Sequence, residues 1–224
     1  MSAKTSFKSL LKRFKKKAIT YSIFAASSTM IASPAFAASV NFSNWTGSGD
    51  FTTSLNQATL TNAFSDGSDD GGANYNVSGN NPNFFIDDLE TFIGIAPGSL
   101  GVDATEGSVI KTIFTGVQAG DVFSFDWDFL TYDTVNADRA FVAIGNSILN
   151  LTSGTPFSYT FNTGGNYTVG IGVIDVNDTT GSSRLALRNG NYEPVPEPLT
   201  VFGSLAAFGF GAAMKRRLQK KTSA

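Results

Sequence analysis

The residues most able to do chemistry in this chain are acidic. Asp66-Gly67-Ser68-Asp69-Asp70-Gly71 puts oxygen-bearing side chains at alternate positions and a glycine at the sixth. That is how a calcium loop opens: alternate side chains turn inward and the glycine makes the sharp bend. Asp66, Ser68 and Asp70 are its candidate ligands. Val77 stands at the twelfth position, so the bidentate glutamate of a helix-flanked calcium loop is missing and a solvated acidic loop is the competing reading. A second pair is Asp126 and Asp128, two residues apart in a strand-like run, which places them roughly 7 Å apart on one face. Two carboxylates so placed suit glycosidic acid–base work. They also suit calcium ligation together with Asp133 or Asp175. The plain alternative is a pair of acids on the solvent face of an antiparallel strand. Gly170 and Gly172 share a strand face and would leave a flat patch for a sugar or for another backbone.

The chain has 224 residues, with no cysteine and no histidine. Thiol nucleophiles, Ser-His-Asp triads and the usual zinc or copper sites are therefore excluded. Any metal would be hard and oxygen-bound, with calcium the natural choice. Packing alone must hold the core, since no disulfide is available.

The elements that must position these acids are strands. Phe123, Phe125, Trp127 and Phe129 alternate with Ser124, Asp126 and Asp128. This two-residue period gives one apolar and one polar face. Phe157, Tyr159 and Phe161 repeat the pattern, as do Tyr167, Val169, Ile171 and Val173, and Leu185 and Leu187. Further strands are expected over Val40 to Trp45, Gln57 to Ala63, Ser108 to Thr115, Arg139 to Gly145 and Ser147 to Leu151. Gly47 to Asp50 reads as a turn, Ser65 to Pro82 as a loop, and Gln118 to Asp121 as the turn of a hairpin. Asp87 to Gly94 is the one expected helix. Asp87, Asp88 and Glu90 favour its N-terminal turn, and Leu89, Phe92 and Ile93 share a face. The fold class is therefore all-β, an antiparallel β-sandwich with one short helix, jelly-roll-like in preference to immunoglobulin-like.

Charge is distributed unevenly. Seven of the 16 basic residues precede position 18 and five follow position 214. Residues 38–193 keep Lys111, Arg139, Arg184 and Arg188 against 17 acids, a net charge near −13. Such a surface repels nucleic acid, whose binding needs clustered Lys and Arg.

Both ends read as addresses. Residues 1–37 have a basic opening, an apolar core over Ala18 to Ala32 and an Ala-x-Ala end at Ala35-Phe36-Ala37, the three parts of a signal peptide cut by signal peptidase. At the other end Pro194, Pro196 and Pro198 fix φ and remove backbone donors, so this stretch is an extended linker. Leu199 to Met214 follows without a charge, and as a helix would span about 24 Å. That is short of a ~30 Å hydrocarbon core. The basic residues from Lys215 to Lys221 favour a cytoplasmic end.

The order Val195-Pro196-Glu197-Pro198, short apolar helix, Lys/Arg cluster resembles the PEP-CTERM sorting signal of bacterial exported proteins. The resemblance implies that Pro196, Glu197 and Pro198 are the motif recognised by an exosortase-type transpeptidase. It makes 199–214 a transient transmembrane anchor and 215–221 the stop, all within a signal spanning 194–221. The middle of the chain is also similar to exported domains that accompany such tails, notably in cyanobacteria. The likeness runs through Asp88 to Gly94, Glu106 to Lys111, Ala119 to Thr131 and Gly172 to Val176. Those domains often carry an Asp-Asn pair where Arg188-Asn189 stands here, and the likeness implies no activity.

The expected product is an exported, non-enzymatic domain over 38–193, with a structural or adhesive role at the cell envelope, the cell surface or in the extracellular matrix. A polysaccharide-binding module is the alternative, its partner an exopolysaccharide and its binding calcium-dependent or not. A glycoside hydrolase comes third.

Overall fold

Two sheets form because nearly every strand has one apolar face and must cover it. The computed structural model describes residues 37–68, 75–152 and 156–196. Among them are eleven strands and one α-helix. The first sheet holds β1 (Ala38–Ser39), β3 (Asp50–Thr53), β4 (Gln57–Thr61), β6 (Val122–Thr131), β9 (Phe157–Thr160) and β11 (Ser183–Glu193). Its order is β3-β4-β11-β6-β9, with β1 paired to the end of β11. The second sheet holds β2 (Thr46–Ser48), β5 (Ala104–Val117), β7 (Arg139–Ile144), β8 (Ser147–Asn150) and β10 (Gly165–Val176), in the order β2-β5-β10-β7-β8. All pairings are antiparallel.

The core between the sheets is the aromatic row read from the sequence. Phe123 and Phe125 of β6 are fully buried, with Leu185 and Leu187 of β11 beside them. Across from them lie Ile110, Val142 and Ile171 of the second sheet. Phe114 meets Phe123 at 5.1 Å and Phe161 meets Tyr167 at 4.8 Å between ring centroids. Each buried Phe contributes about 1.5–3 kcal/mol. In a chain without disulfides, that packing carries the stability.

The outer face of the second sheet is covered too, by helix α1 (Ile86–Ile93). Leu89 and Ile93 pack on Val109, Phe141, Ala143 and Ile174, so β10 is buried on both faces. Gly94 ends the helix at φ 79°, a left-handed turn that glycine adopts without strain. Lys111 donates to the Phe92 carbonyl in the last turn and lies over the Phe92 ring at 4.2 Å. Its charge complements the negative end of the helix.

Four expectations are corrected. The segment Val40 to Trp45 is no strand: after β1 it forms a 3-10 turn, Phe42–Asn44, because Asn41 accepts from the Ser43 N–H and starts a cap. Gly47 to Asp50 is a crossing between strands: β2 belongs to one sheet and β3 to the other, and Gly49 bends between them at φ 97°. Residues 118–121 do not close a hairpin. β5 pairs with β10 and β2, β6 with β11 and β9, so this turn arches from sheet to sheet. Glu90 does not serve the helix N-terminus. It is fully buried and accepts from the Gly98 and Leu100 N–H groups, holding the loop after the helix.

No helix among the described residues is long and apolar enough to cross a membrane. The expected signal peptide up to Phe36, and Glu197, Pro198 and the stretch 199–221, lie outside the described residues.

Candidate functional site

Strand alternation carries the core residues Val169, Ile171 and Val173 inward along β10, and the next inward position is Asp175. The same period runs into acid on both neighbours. Along β5 Ile110 and Ser108 precede Glu106, and along β7 Val142 and Ala140 follow Asp138. Val173 pairs with Ser108 and Ala140; the ladder is irregular between Ile174 and Val176, and there Asp175 lies close enough to Glu106 and Asp138 for their charges to act on it. The facing sheet contributes Asn62 after β4, Ser183 at the start of β11 and Asp133 after β6. A polar chamber thus closes one end of the apolar core. Asp175 is 2% exposed, Asp138 5% and Asp133 8%.

Hydrogen bonds satisfy only half of this chamber. Asn62 Nδ2 donates to Asp138 Oδ2 at 2.8 Å and to Asp175 Oδ2 at 3.3 Å. Asn62 Oδ1 accepts from the Ser183 N–H at 2.5 Å. Asp133 Oδ1 accepts from the Val135 and Asn136 N–H groups. Asp138 Oδ1, Asp175 Oδ1, Asp133 Oδ2 and Ser183 Oγ are buried without a hydrogen-bond partner. Burial, reinforced by the charges of Asp138, Glu106 and Asp178, pushes the Asp175 carboxyl up to about 9. Burial pushes Asp138 up to about 7, although Ser183 and Asn62 beside it act the other way. The Ser183 hydroxyl is thus close to Asp138 without reaching it in hydrogen-bond geometry.

Other buried acids behave differently. Asp50 accepts at Oδ1 from Ser78 N–H and hydroxyl, and at Oδ2 from Val77 N–H and the Thr61 hydroxyl. Glu90 has both oxygens on backbone donors. Asp121 accepts from Gln118 N–H, the Tyr192 hydroxyl and Val195 N–H. These acids anchor loops.

The sequence-predicted residues are dispersed. Asp66 is exposed and accepts from the Ser68 N–H at 3.1 Å, a local turn, with Ser68 exposed beside it. Asp70 lies outside the described residues. Asp126 is half-buried and accepts from Asn189 Nδ2 at 2.7 Å, while Asp128 is exposed. Both lie on the outward side of β6, away from Asp133 and Asp175. Among the described residues no three or more Asp or Glu side chains stand ready round one metal position. Pro196 is exposed. Gly170 and Gly172 are filled from within the fold: a Cβ on Gly170 would lie 2.9 Å from Ile93, and one on Gly172 would lie 2.7 Å from the Phe141 ring.

Two other features lie at the surface. Tyr75 and Tyr132 stack at 4.7 Å and 23°, with the Arg184 guanidinium 5.6 Å from the Tyr75 ring. Tyr132 is 46% exposed. A groove of about 270 Å³ runs beside Trp45, Phe114 and Tyr192, and its walls carry no acid or base.

No protein-family model and no curated protein matches the chain. Among solved structures the chain is similar to TmCBM61 in complex with beta-1,4-galactotriose, at 9% identity over 44% of this chain and 77% of that one. The TM-score is 0.27, a likeness too slight to bear on function.

Proposed function

We propose that this chain is an exported, non-enzymatic β-sandwich, jelly-roll-like in its arrangement, with a structural or adhesive role at the cell envelope or in the extracellular matrix. Signal peptidase removes residues 1–37. An exosortase-type transpeptidase then recognises Pro196-Glu197-Pro198 while 199–214 holds the chain in the membrane. One observation carries the reading. The last strand ends at Glu193, and the linker leaves the sandwich at once, tethered by the Val195 N–H on Asp121 Oδ1 at 2.7 Å with Pro196 exposed. A motif at the edge of a finished domain is within reach of an enzyme, and its cleavage removes nothing that the core needs. The test is Pro196→Ala, Glu197→Ala and Pro198→Ala together, followed by fractionation of the host. The triple variant should accumulate uncut in the membrane fraction. An unchanged distribution and size would contradict the sorting route.

The stacked Tyr75–Tyr132 pair with Arg184 favours a second reading, a polysaccharide-binding module. Exposed aromatic faces stack on sugar rings, and a neighbouring guanidinium donates to hydroxyls. Pull-down with the host's exopolysaccharide tests it. Selective retention that Tyr132→Ala abolishes supports this reading, and equal retention of wild type and variant removes it.

A further inference from the structure

One end of the core is held by two acids and a single shared donor. Asp175 in β10 and Asp138 just before β7 both accept from Asn62 Nδ2, which comes from the end of β4 on the other sheet. The second oxygen of each acid, Oδ1, is buried and has no hydrogen-bond partner. The charged groups that face the pair are acidic. Glu106 acts on Asp175 from β5, Asp133 on Asp138 from the segment after β6, and Asp178 on both from the segment after β10. Ser183, at the start of β11, is the neutral neighbour of Asp138. The arginines next in sequence are engaged elsewhere: Arg139 pairs with Asp103, and Arg184 lies over the Tyr75 ring.

A carboxyl in such surroundings keeps its proton, because ionising it would put charge into low dielectric beside other acids. Burial raises Asp175 to about 9 and Asp138 to about 7. In the unfolded chain both titrate near about 3.9. The folded state therefore binds more protons than the unfolded one. Stability that is fully present below the unfolded value is lost as pH rises through the folded values. The composition leaves this window otherwise nearly empty. The chain has no histidine and no cysteine, so only the amino terminus has an ordinary pKa between about 5.5 and 9.

We infer that the Asp138–Asn62–Asp175 contact is a pH-sensitive clasp between the two sheets, closed while the acids are protonated and loosened when they ionise. Protonated, the two acids share the Asn62 amide without net charge. Ionised, they repel each other across that one donor, and this end of the sandwich loosens. Asp133 follows Tyr132, whose N–H donates to the Ser182 carbonyl, and Ser183 precedes Arg184. Loosening the clasp is therefore felt at the exposed Tyr75–Tyr132 pair. The inference is independent of the sorting route and of the sugar-binding reading.

The experiment is urea denaturation of the full-length chain at constant ionic strength from about pH 6 to about pH 9. Each extra proton held by the folded state raises the unfolding constant about tenfold per pH unit. The wild-type constant should rise at least about tenfold across the range. Asp138→Asn with Asp175→Asn should keep less than half of that rise on a logarithmic scale, and Asp126→Asn, on the outward side of β6, should keep all of it. Circular dichroism checks that the variants fold, and Asp175→Asn alone, read between about pH 7 and pH 9, serves if the double variant does not. A wild-type rise below about tenfold would overturn the inference whatever the variants do. So would a rise in the chamber variant as large as that of the wild type.

Discussion

Asp138 and Asp175 lean on one donor. The amide nitrogen of Asn62 serves both, at 2.8 and 3.3 Å, and its oxygen is fixed by the Ser183 N–H. Asp175 lies in β10, Asp138 just before β7 of the same sheet and Asn62 just after β4 of the other, so this contact ties the sheets where the apolar core ends. Replacing the donor by an acid should therefore be severe. Asn62→Asp replaces the shared donor by another buried carboxyl and is expected to destabilise the protein by about 3–5 kcal/mol. Urea denaturation measures it. A loss under about 1 kcal/mol would mean that the chamber is open to solvent.

Two buried aspartates should respond in opposite ways to neutralisation. Asp50 receives four donors from three residues, so Asp50→Ala strands them and should cost about 2–4 kcal/mol. Asp175 has one long hydrogen bond from Asn62 and acids around it. Asp175→Asn replaces a carboxyl that burial already holds protonated near neutral pH and should leave stability within about 1 kcal/mol, or raise it. Equal destabilisation by both changes would contradict the distinction between anchoring acids and chamber acids.

Asp121 governs the acid side of the stability curve. Burial acts to raise its pKa, but the Gln118 N–H, the Tyr192 hydroxyl and the Val195 N–H prevail, and the carboxyl titrates below the usual range. The same pair pushes Tyr192 up, through burial first and then through Asp121. A depressed carboxyl stabilises the fold above its unfolded pKa near 3.9, and the contribution is lost as pH falls through the folded value. Asp121→Asn should thus be less stable than wild type at pH 7, by about 1–3 kcal/mol. The difference should shrink below about pH 4. Melting curves across that range decide it, and a constant gap would show that Asp121 acts by shape alone.

The glycines of β10 should resist substitution for packing reasons. At Gly170 the obstacle is the Ile93 side chain alone, whereas at Gly172 it includes the Ser108 carbonyl at 2.8 Å. Gly172→Ala is therefore expected to cost more than Gly170→Ala, within a range of about 1–3 kcal/mol. In a double-mutant cycle, Ile93→Ala, which removes the Cγ2 atom 2.9 Å from that Cβ, should recover part of the loss at Gly170 and none at Gly172. Recovery at both, read from chemical denaturation, would refute this placement of the helix.

Much of the fold was readable because it rests on period two. The alternation in β6 and β10, Leu185 and Leu187 in β11, and the Leu89/Ile93 face of the helix all sit as their spacing requires. The arch at residues 118–121 was not readable as an arch. A short Gly-Asp turn between two apolar strands looks the same whether the strands pair or face each other across a core, and only the partners of β5 and β6 separate the cases. The chamber was half visible. Asp175 breaks an inward apolar row and could have been flagged by that alone. Glu106 and Asp138 could not, since they reach it from parts of the chain distant in sequence. The acid-rich loop from Asp66 stands out by composition, although Asp66 and Ser68 are exposed.

On the proposed sorting route the mature protein is the sandwich without its two addresses. Intact-mass spectrometry of the protein recovered from its host tests this most directly. The account predicts a new N-terminus at Ala38 and a C-terminus at or near Pro196 to Pro198, free or bearing a covalent attachment. A mature mass that still includes both Ala18 to Ala32 and Leu199 to Met214 would contradict it.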